Sequence, residues 1–203
     1  MVENLSKDQI KAFLASKKCQ LFLSTRQAKV KEVLEASSLL KRNKGLNILS
    51  IGAGDGTTDQ CIIKGNQLEV ALYYAIEPIL SGFNASLEEK VKSWNIPYFI
   101  ENVSFSEDYN LPRKDEVNVN HPDGSTKPLC KFVNSNENSG HNGGIFDLVI
   151  MSSVLYHMDH PGLAVKKARS LLRPGGRIVI FIQSFEISSE VFSLNSGGDV
   201  SIM

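Results

Sequence analysis

Three glycines at alternating positions stand in Ile48-Leu49-Ser50-Ile51-Gly52-Ala53-Gly54-Asp55-Gly56-Thr57-Thr58. An apolar run leads into them and a helix-forming run follows at once. Glycine is needed where backbone must approach a ligand closely or take positive φ. The dinucleotide fingerprint is G-x-G-x-x-G; the spacing here is G-x-G-x-G, which gives up the pyrophosphate fit. Glu77, in Ala75-Ile76-Glu77-Pro78, ends the next apolar run. A carboxylate there can accept hydrogen bonds from both hydroxyls of an adenosine ribose, and Pro78 stops the run behind it. Taken singly, the turn could be a plain connector and Glu77 a solvated strand end; at this separation they read as one nucleoside site. Tyr156 and His157, after a later apolar run, are the candidates to assist proton transfer. His157 and His160 are three apart, but no cysteine or carboxylate cluster completes a metal-ligand set, so no metal is expected.

The elements that must hold these residues alternate between strand and helix. Apolar patterning predicts strands at Asn47–Gly52, Leu68–Ile76, Pro97–Val103, Phe146–Met151 and Arg177–Gln183, and helices at Thr57–Lys64, Phe83–Trp94 and Pro161–Leu172. This alternation implies an α/β fold, a doubly wound parallel sheet with helices on both faces. Two N-terminal helices are expected near residues 7–16 and 20–37, with Leu21, Val30, Val33 and Leu34 at mostly helical spacing and the basic residues on a solvated face. Residues 1–44 then form a helical cover, 45–105 and 145–184 the core, and 106–144 a polar insertion. Within the insertion, Pro122-Asp123-Gly124-Ser125 predicts a hairpin turn between Val117–His121 and Lys127–Val133, and Asn134–Gly144 reads as a mobile surface loop. Asp159 before Pro161 is a helix N-cap signal. Leu171-Leu172-Arg173-Pro174-Gly175-Gly176-Arg177 reads as a helix-to-strand connector. Trp94 is expected to pack its helix onto the sheet.

Composition bounds the rest. The chain has 203 residues, 42% hydrophobic and 22% charged, with formal net charge zero, which fits one globular domain. Collagen, wholesale disorder and a disulfide mini-protein are excluded. No apolar stretch approaches the roughly 18 residues of a membrane span, and the N-terminus lacks a signal pattern. Three widely spaced cysteines without CxxC point to a reducing, cytoplasmic location. The basic N-terminal segment could touch nucleic acid, but a solvated helix face is the preferred reading, and a monomer is expected.

The ordered set of glycine turn, Glu77, Phe146-Asp147-Leu148-Val149-Ile150 and Leu-Leu-Arg-Pro-Gly-Gly resembles the class I S-adenosylmethionine-dependent methyltransferases, whose sheet is Rossmann-like. The resemblance covers about residues 45–184, the insertion apart. It implies S-adenosylmethionine as cofactor, with Gly52, Ala53, Gly54, Asp55 and Gly56 passing its methionine end and Glu77 on its ribose. Ser104, Phe105 and Ser106 would lie near the adenine. Ser152 and Ser153 would face the cofactor and the methyl acceptor, Ser153 on the acceptor side. A closer resemblance is to the histamine N-methyltransferase branch. Ser50 stands where other methyltransferases carry an acidic residue, Leu155-Tyr156-His157 resembles that branch's Leu-Tyr-Tyr, and Ser153 takes the place of an amine-contacting glutamine. A small amine is then the implied acceptor, with Tyr156 and His157 as the implied catalytic pair. In that family two further strands follow the fifth. The tail, residues 185–203, is polar, and the last strands of the sheet are expected to be missing. A cofactor-binding domain without activity remains an alternative, as does an NAD-dependent oxidoreductase.

Overall fold

The computed structural model describes residues 17–37, 45–78, 83–113, 116–132, 144–183, 189–195 and 200–202. The elements are α1 (Lys17–Ala36), β1 (Leu46–Ile51), α2 (Thr57–Gly65), β2 (Val70–Ile76), α3 (Phe83–Lys92), β3 (Tyr98–Glu101), β4 (Asn118–Asn120), β5 (Thr126–Pro128), β6 (Phe146–Ser152), α4 (Pro161–Ser170), β7 (Leu172–Gln183), β8 (Ser189–Asn195) and β9 (Val200–Ile202). The expected helix at 7–16 and nearly all of the Asn134–Gly144 loop lie outside the described residues.

All strands join one sheet in the order β5-β4-β3-β2-β1-β6-β7-β8-β9. The five central strands are parallel. β1 is buried along its whole length, as a parallel strand covered on both faces must be. From β1 the chain winds outward through β2 and β3, then returns to the other side of β1 as β6. The crevice at the carboxyl ends of β1 and β6 is therefore the topological switch point, where ligands bind in open α/β sheets.

Each face of the sheet has its own core. On one, Val30, Val33 and Leu34 of α1, Ile62 and Ile63 of α2, and Leu87 and Val91 of α3 cover Ile48, Tyr73, Leu148 and Phe181. Trp94 meets Tyr73 edge-on at 5.0 Å between ring centroids, as expected. On the other face, Ala164 and Ala168 of α4 and Phe105, Tyr109, Val117, Val119 and Leu129 cover Leu49, Ile51, Leu72 and Tyr74.

Several expectations are corrected. The tail does supply strands: β8 pairs antiparallel with β7 from Arg177↔Asn195 to Gln183↔Ser189, and β9 pairs with β8. β7 would otherwise leave its row of backbone donors and acceptors unpaired, and a strand needs those groups as much as apolar side chains. The insertion is less polar than its composition suggests, since Val117, Val119 and Leu129 are fully or nearly buried. Its hairpin extends the sheet beyond β3 with antiparallel pairing. The buried stripe of α1 is Leu23, Arg26, Val30, Val33 and Leu34, while Leu21 is 69% exposed. β7 already begins at Leu172, opposite Phe146, and the register shifts before Leu148↔Arg177; Pro174-Gly175-Gly176 is thus an irregularity inside the strand, with Gly175 at φ 80°. The N-cap of α4 is His160, with Pro161 following it; Asp159 precedes the cap.

Candidate functional site at the switch point

The glycine turn joins β1 to α2 and is held from below. The Gly52 N–H donates to the Ile76 carbonyl at 2.8 Å and the Gly56 N–H to the Ala53 carbonyl at 3.0 Å. Gly52, Gly54 and Gly56 all take positive φ. They serve different ends. A Cβ on Gly52 would lie 2.3 Å from Val154, and one on Gly56 would lie 2.7 Å from Leu87, so both are demanded by the protein's own packing. A Cβ on Gly54 would meet nothing within 4 Å. Only there does the turn present bare backbone to open space.

Glu77 sits directly on that turn. Its Oε2 accepts from the Gly54 N–H at 2.9 Å, so the two residues singled out in the sequence are in contact. The side chain is 5% exposed. Burial pushes its carboxyl above the ordinary glutamate range, while the Gly54 N–H and the nearby His157 pull it back. The β2–β3 pairing continues here, with the Glu77 N–H donating to the Glu101 carbonyl at 3.0 Å, which fixes where the carboxylate emerges.

Asp55 faces the protein instead. It accepts from the Thr57 N–H at 3.0 Å and the Thr57 hydroxyl at 2.7 Å, and it pairs with Lys90 of α3 at 2.9 Å. Burial works against its ionisation, but the Thr57 hydroxyl and the Lys90 ammonium outweigh it and hold the carboxyl below the ordinary range. Asp55 caps the first turn of α2 and ties it to α3. Under the turn, the Asp59 Oδ2 accepts from the Ser50 hydroxyl and from the Tyr73 phenol, each at 2.6 Å. The acid absent at Ser50 is thus supplied one turn into α2. Complete burial raises the Asp59 carboxyl to about 6, against the opposing pull of Ser50 and Tyr73.

The segment after β3 divides. Phe105 turns inward against Tyr109, ring centroids 5.1 Å apart. Ser104 is exposed and Ser106 half-buried. Beside them Glu101 accepts at Oε2 from the phenols of Tyr74 and Tyr109, each at 2.6 Å, a clamp that braces this rim. At the end of β6, Ser152 and Ser153 are half-buried. Ser153 has φ 55°, which a residue bearing a Cβ adopts only when its surroundings impose it; its N–H donates to the Phe181 carbonyl at 2.8 Å. A 3₁₀ turn, Leu155–His157, follows. Tyr156 and His157 are both exposed on it with ring centroids 4.1 Å apart. His160 approaches Glu107 at 4.0 Å, and among the described residues no group of three His, Cys, Asp or Glu could hold a metal ion. None of their helices is long and apolar enough to cross a membrane.

One residue at the site escaped the sequence reading. Arg26 of α1 is 2% exposed. Its guanidinium donates to the hydroxyls of Ser152, Ser153 (2.9 Å) and Thr58 (3.3 Å). It also lies over the Phe22 ring, 3.5 Å from the centroid. The signal was present: Arg26 falls on the same helical stripe as Leu23, Val30 and Val33, where a charged residue must have polar partners.

A doubly wound sheet whose first turn leaves backbone open beside the carboxylate that follows its second strand has the arrangement at which open α/β folds bind ligands. The family model described as "Methyltransferase domain" matches residues 22–191; the chain belongs to that family, and its cofactor is S-adenosylmethionine. No curated protein matches the chain. Among solved structures it is similar to the CurJ carbon methyltransferase, at 17% identity and TM-score 0.56 over 89% of this chain and 40% of that one. The DszA carbon methyltransferase is similar at 14% identity and TM-score 0.55, over 90% and 40%. A Thermotoga maritima protein described as a possible histamine N-methyltransferase matches at 15% identity and TM-score 0.48, over 86% and 57%. At these identities the likeness is one of fold. The chain spans 40% of the length of the first two structures.

Proposed function

We propose that the chain transfers the methyl group of S-adenosylmethionine to a nitrogen of a small amine, as its resemblance to the histamine N-methyltransferase branch implies. The observation that carries the cofactor half is the contact of Glu77 with Gly54 at 2.9 Å beside the open face of Gly54. The residues present fit the cofactor. Glu77 has one carboxylate oxygen on the turn and the other for ribose hydroxyls, and Gly54 leaves room for the methionine end. Bound S-adenosylmethionine supplies an electrophilic methyl group on a sulfonium. The chain's own task is alignment and exclusion of water. Ser104 and Ser106 flank the adenine end, and Phe105 braces that segment from within. Ser152 faces the cofactor and Ser153 the acceptor, and His157, backed by Tyr156, receives the proton that the acceptor nitrogen gives up.

Calorimetric titration with S-adenosylmethionine, S-adenosylhomocysteine and NAD tests the cofactor half. Binding of the first two alone supports it; binding of NAD alone would move the assignment to an oxidoreductase. Turnover with radiolabelled cofactor against small amines, histamine included, tests the acceptor half. Cofactor binding without turnover of any amine would leave a binding domain.

A further inference from the structure

Helix α3 presses one face against the glycine turn. Leu87, Lys90, Val91 and, just past the helix end, Trp94 follow helical spacing and share that face. Leu87 and Trp94 lie against Gly56, where an added Cβ would come within 2.7 and 3.6 Å of them. Lys90 is the charged member. Its ammonium donates to the Asp55 Oδ2 at 2.9 Å and to the Thr57 hydroxyl at 2.6 Å. The Thr57 hydroxyl in turn donates to the Asp55 Oδ2 at 2.7 Å, so one cation holds the residues on either side of Gly56.

Two features give this cluster a part beyond joining two helices. The first is its shelter: the Lys90 side chain is 21% exposed and that of Asp55 25%, and partly buried pairs are screened less than open ones. The second is its place. Gly54 and Gly56 take φ of 57° and 74°, and glycine has the greatest freedom to leave such a conformation. Gly56, the N-cap of α2, has no side chain to bond the first N–H groups of the helix, and Asp55 does so at the Thr57 N–H. Asp55 is thereby fixed next to Gly54, whose N–H is on Glu77. An unpaired Asp55 would also repel the carboxylate at the cofactor's methionine end, a charge that Lys90 offsets.

We propose that Lys90 is a positioning residue for the cofactor: through Asp55 and Thr57 it holds the turn so that Gly54 keeps its N–H on Glu77 and its open side toward S-adenosylmethionine. The inference rests on the cofactor reading above and gives Asp55 an indirect role, shaping the turn without touching the ligand.

Calorimetric titration and amide spectra together test it. Lys90→Met should weaken S-adenosylhomocysteine about fivefold, the scale of one such ion pair, and Lys90→Arg should restore most of that affinity. Lys92→Met is the control: Lys92 is exposed on the same helix and pairs with Glu88 at 2.9 Å, and its loss should change nothing. In the ligand-free chain the Gly54 amide proton, donated to a carboxylate, should move upfield in Lys90→Met and stay in place in Lys92→Met. Asp55→Asn should cost a similar factor in affinity, and the double variant no more than either single one. A folded Lys90→Met that binds as wild type does overturns the proposal, even if it melts at a lower temperature, and so does an equal loss in Lys92→Met. If Asp55→Asn costs as much in the Lys90→Met background as alone, Asp55 touches the cofactor itself and the indirect route is refuted. If Lys90→Met does not fold, Asp55→Asn decides: unchanged affinity with an unmoved Gly54 signal overturns the proposal. Failure of the wild type to bind S-adenosylhomocysteine refutes the cofactor reading separately, and the Gly54 signal still judges the hold of Lys90 on the turn.

Discussion

Replacing Glu77 should separate ribose recognition from everything else the glycine turn does. Glu77 lies at the end of β2 with one oxygen on the Gly54 N–H and a side chain 5% exposed. Hydrogen bonds to a charged acceptor contribute about 1.5–3 kcal/mol. With a tenfold change in affinity for each 1.4 kcal/mol, Glu77→Ala should weaken S-adenosylhomocysteine binding roughly 10- to 150-fold. Glu77→Gln keeps the shape and one acceptor oxygen but loses the charge. Neutral hydrogen bonds are about half as strong, so the loss should be roughly 3- to 12-fold. The assay is calorimetric titration, with a thermal melt to establish that each variant folds. 5′-Methylthioadenosine keeps the ribose and lacks the amino-acid end, so its affinity should fall by the same factor. The pH dependence follows from the burial that raises the Glu77 carboxyl above its ordinary 4.5. Affinity should decline as pH falls, and sooner than an ordinary glutamate would bring about, as the carboxylate protonates and loses its capacity to accept from two hydroxyls. An unchanged affinity in a folded Glu77→Ala, or a loss for S-adenosylhomocysteine with none for 5′-methylthioadenosine, would refute the ribose assignment.

Three other variants probe different parts of the crevice. Gly54→Val should cost about 1–2 kcal/mol of stability for a branched residue at φ 57°, fold because nothing stands within 4 Å, and lose cofactor binding. A folded Gly54→Val that binds normally would reduce the turn to a connector. His157→Ala should lower turnover of an active amine by about 100-fold or more with S-adenosylhomocysteine affinity unchanged; equal turnover would remove His157 from proton transfer. Asp59, raised from 3.8 to about 6, holds its proton more tightly folded than unfolded. Its contribution is full below pH 3.8 and is lost as pH rises to about 6, a decline on the order of 3 kcal/mol. Denaturant titrations at pH 4 and 7 should show that decline in the wild type and not in Asp59→Asn; identical pH slopes would place the raised carboxyl elsewhere.

What the sequence made legible follows one rule: local signals with a short range were readable, and those that depend on distant chain were not. Gly52–Gly56 and Glu77 could be paired because β1, α2 and β2 are consecutive, so their spacing translates directly into contact. The central strands could be found because burial on both faces writes itself as an unbroken apolar run, as in Phe146–Met151. The tail could not be read the same way. β8 is recruited by the backbone of β7 through seven residue pairs, and backbone hydrogen bonding leaves no mark on side-chain composition. In the insertion the turn signal Pro122–Ser125 was enough to find the hairpin, while its seating on the sheet by Val117, Val119 and Leu129 was hidden among polar residues.

Arg26 is the instructive case because its charge and its helical phase point to opposite environments. Local charge placed it on a solvated face; helical phase placed it among Leu23, Val30 and Val33. Phase won, because α1 is held to the sheet by its whole stripe and to α2 by Gln27, whose amide donates to the Gly65 carbonyl at 2.8 Å. Rotating one residue out would have exposed the rest. A guanidinium thus forced inward is tolerated only beside polar groups, and those it reaches include the hydroxyls of Thr58 in α2 and of Ser152 and Ser153 at the carboxyl end of β6. The same packing that fastens α1 over the sheet therefore delivers a cation to the mouth of β6. α1 thus brings a polar side chain to the end of β6 as well as apolar packing to one face of the sheet.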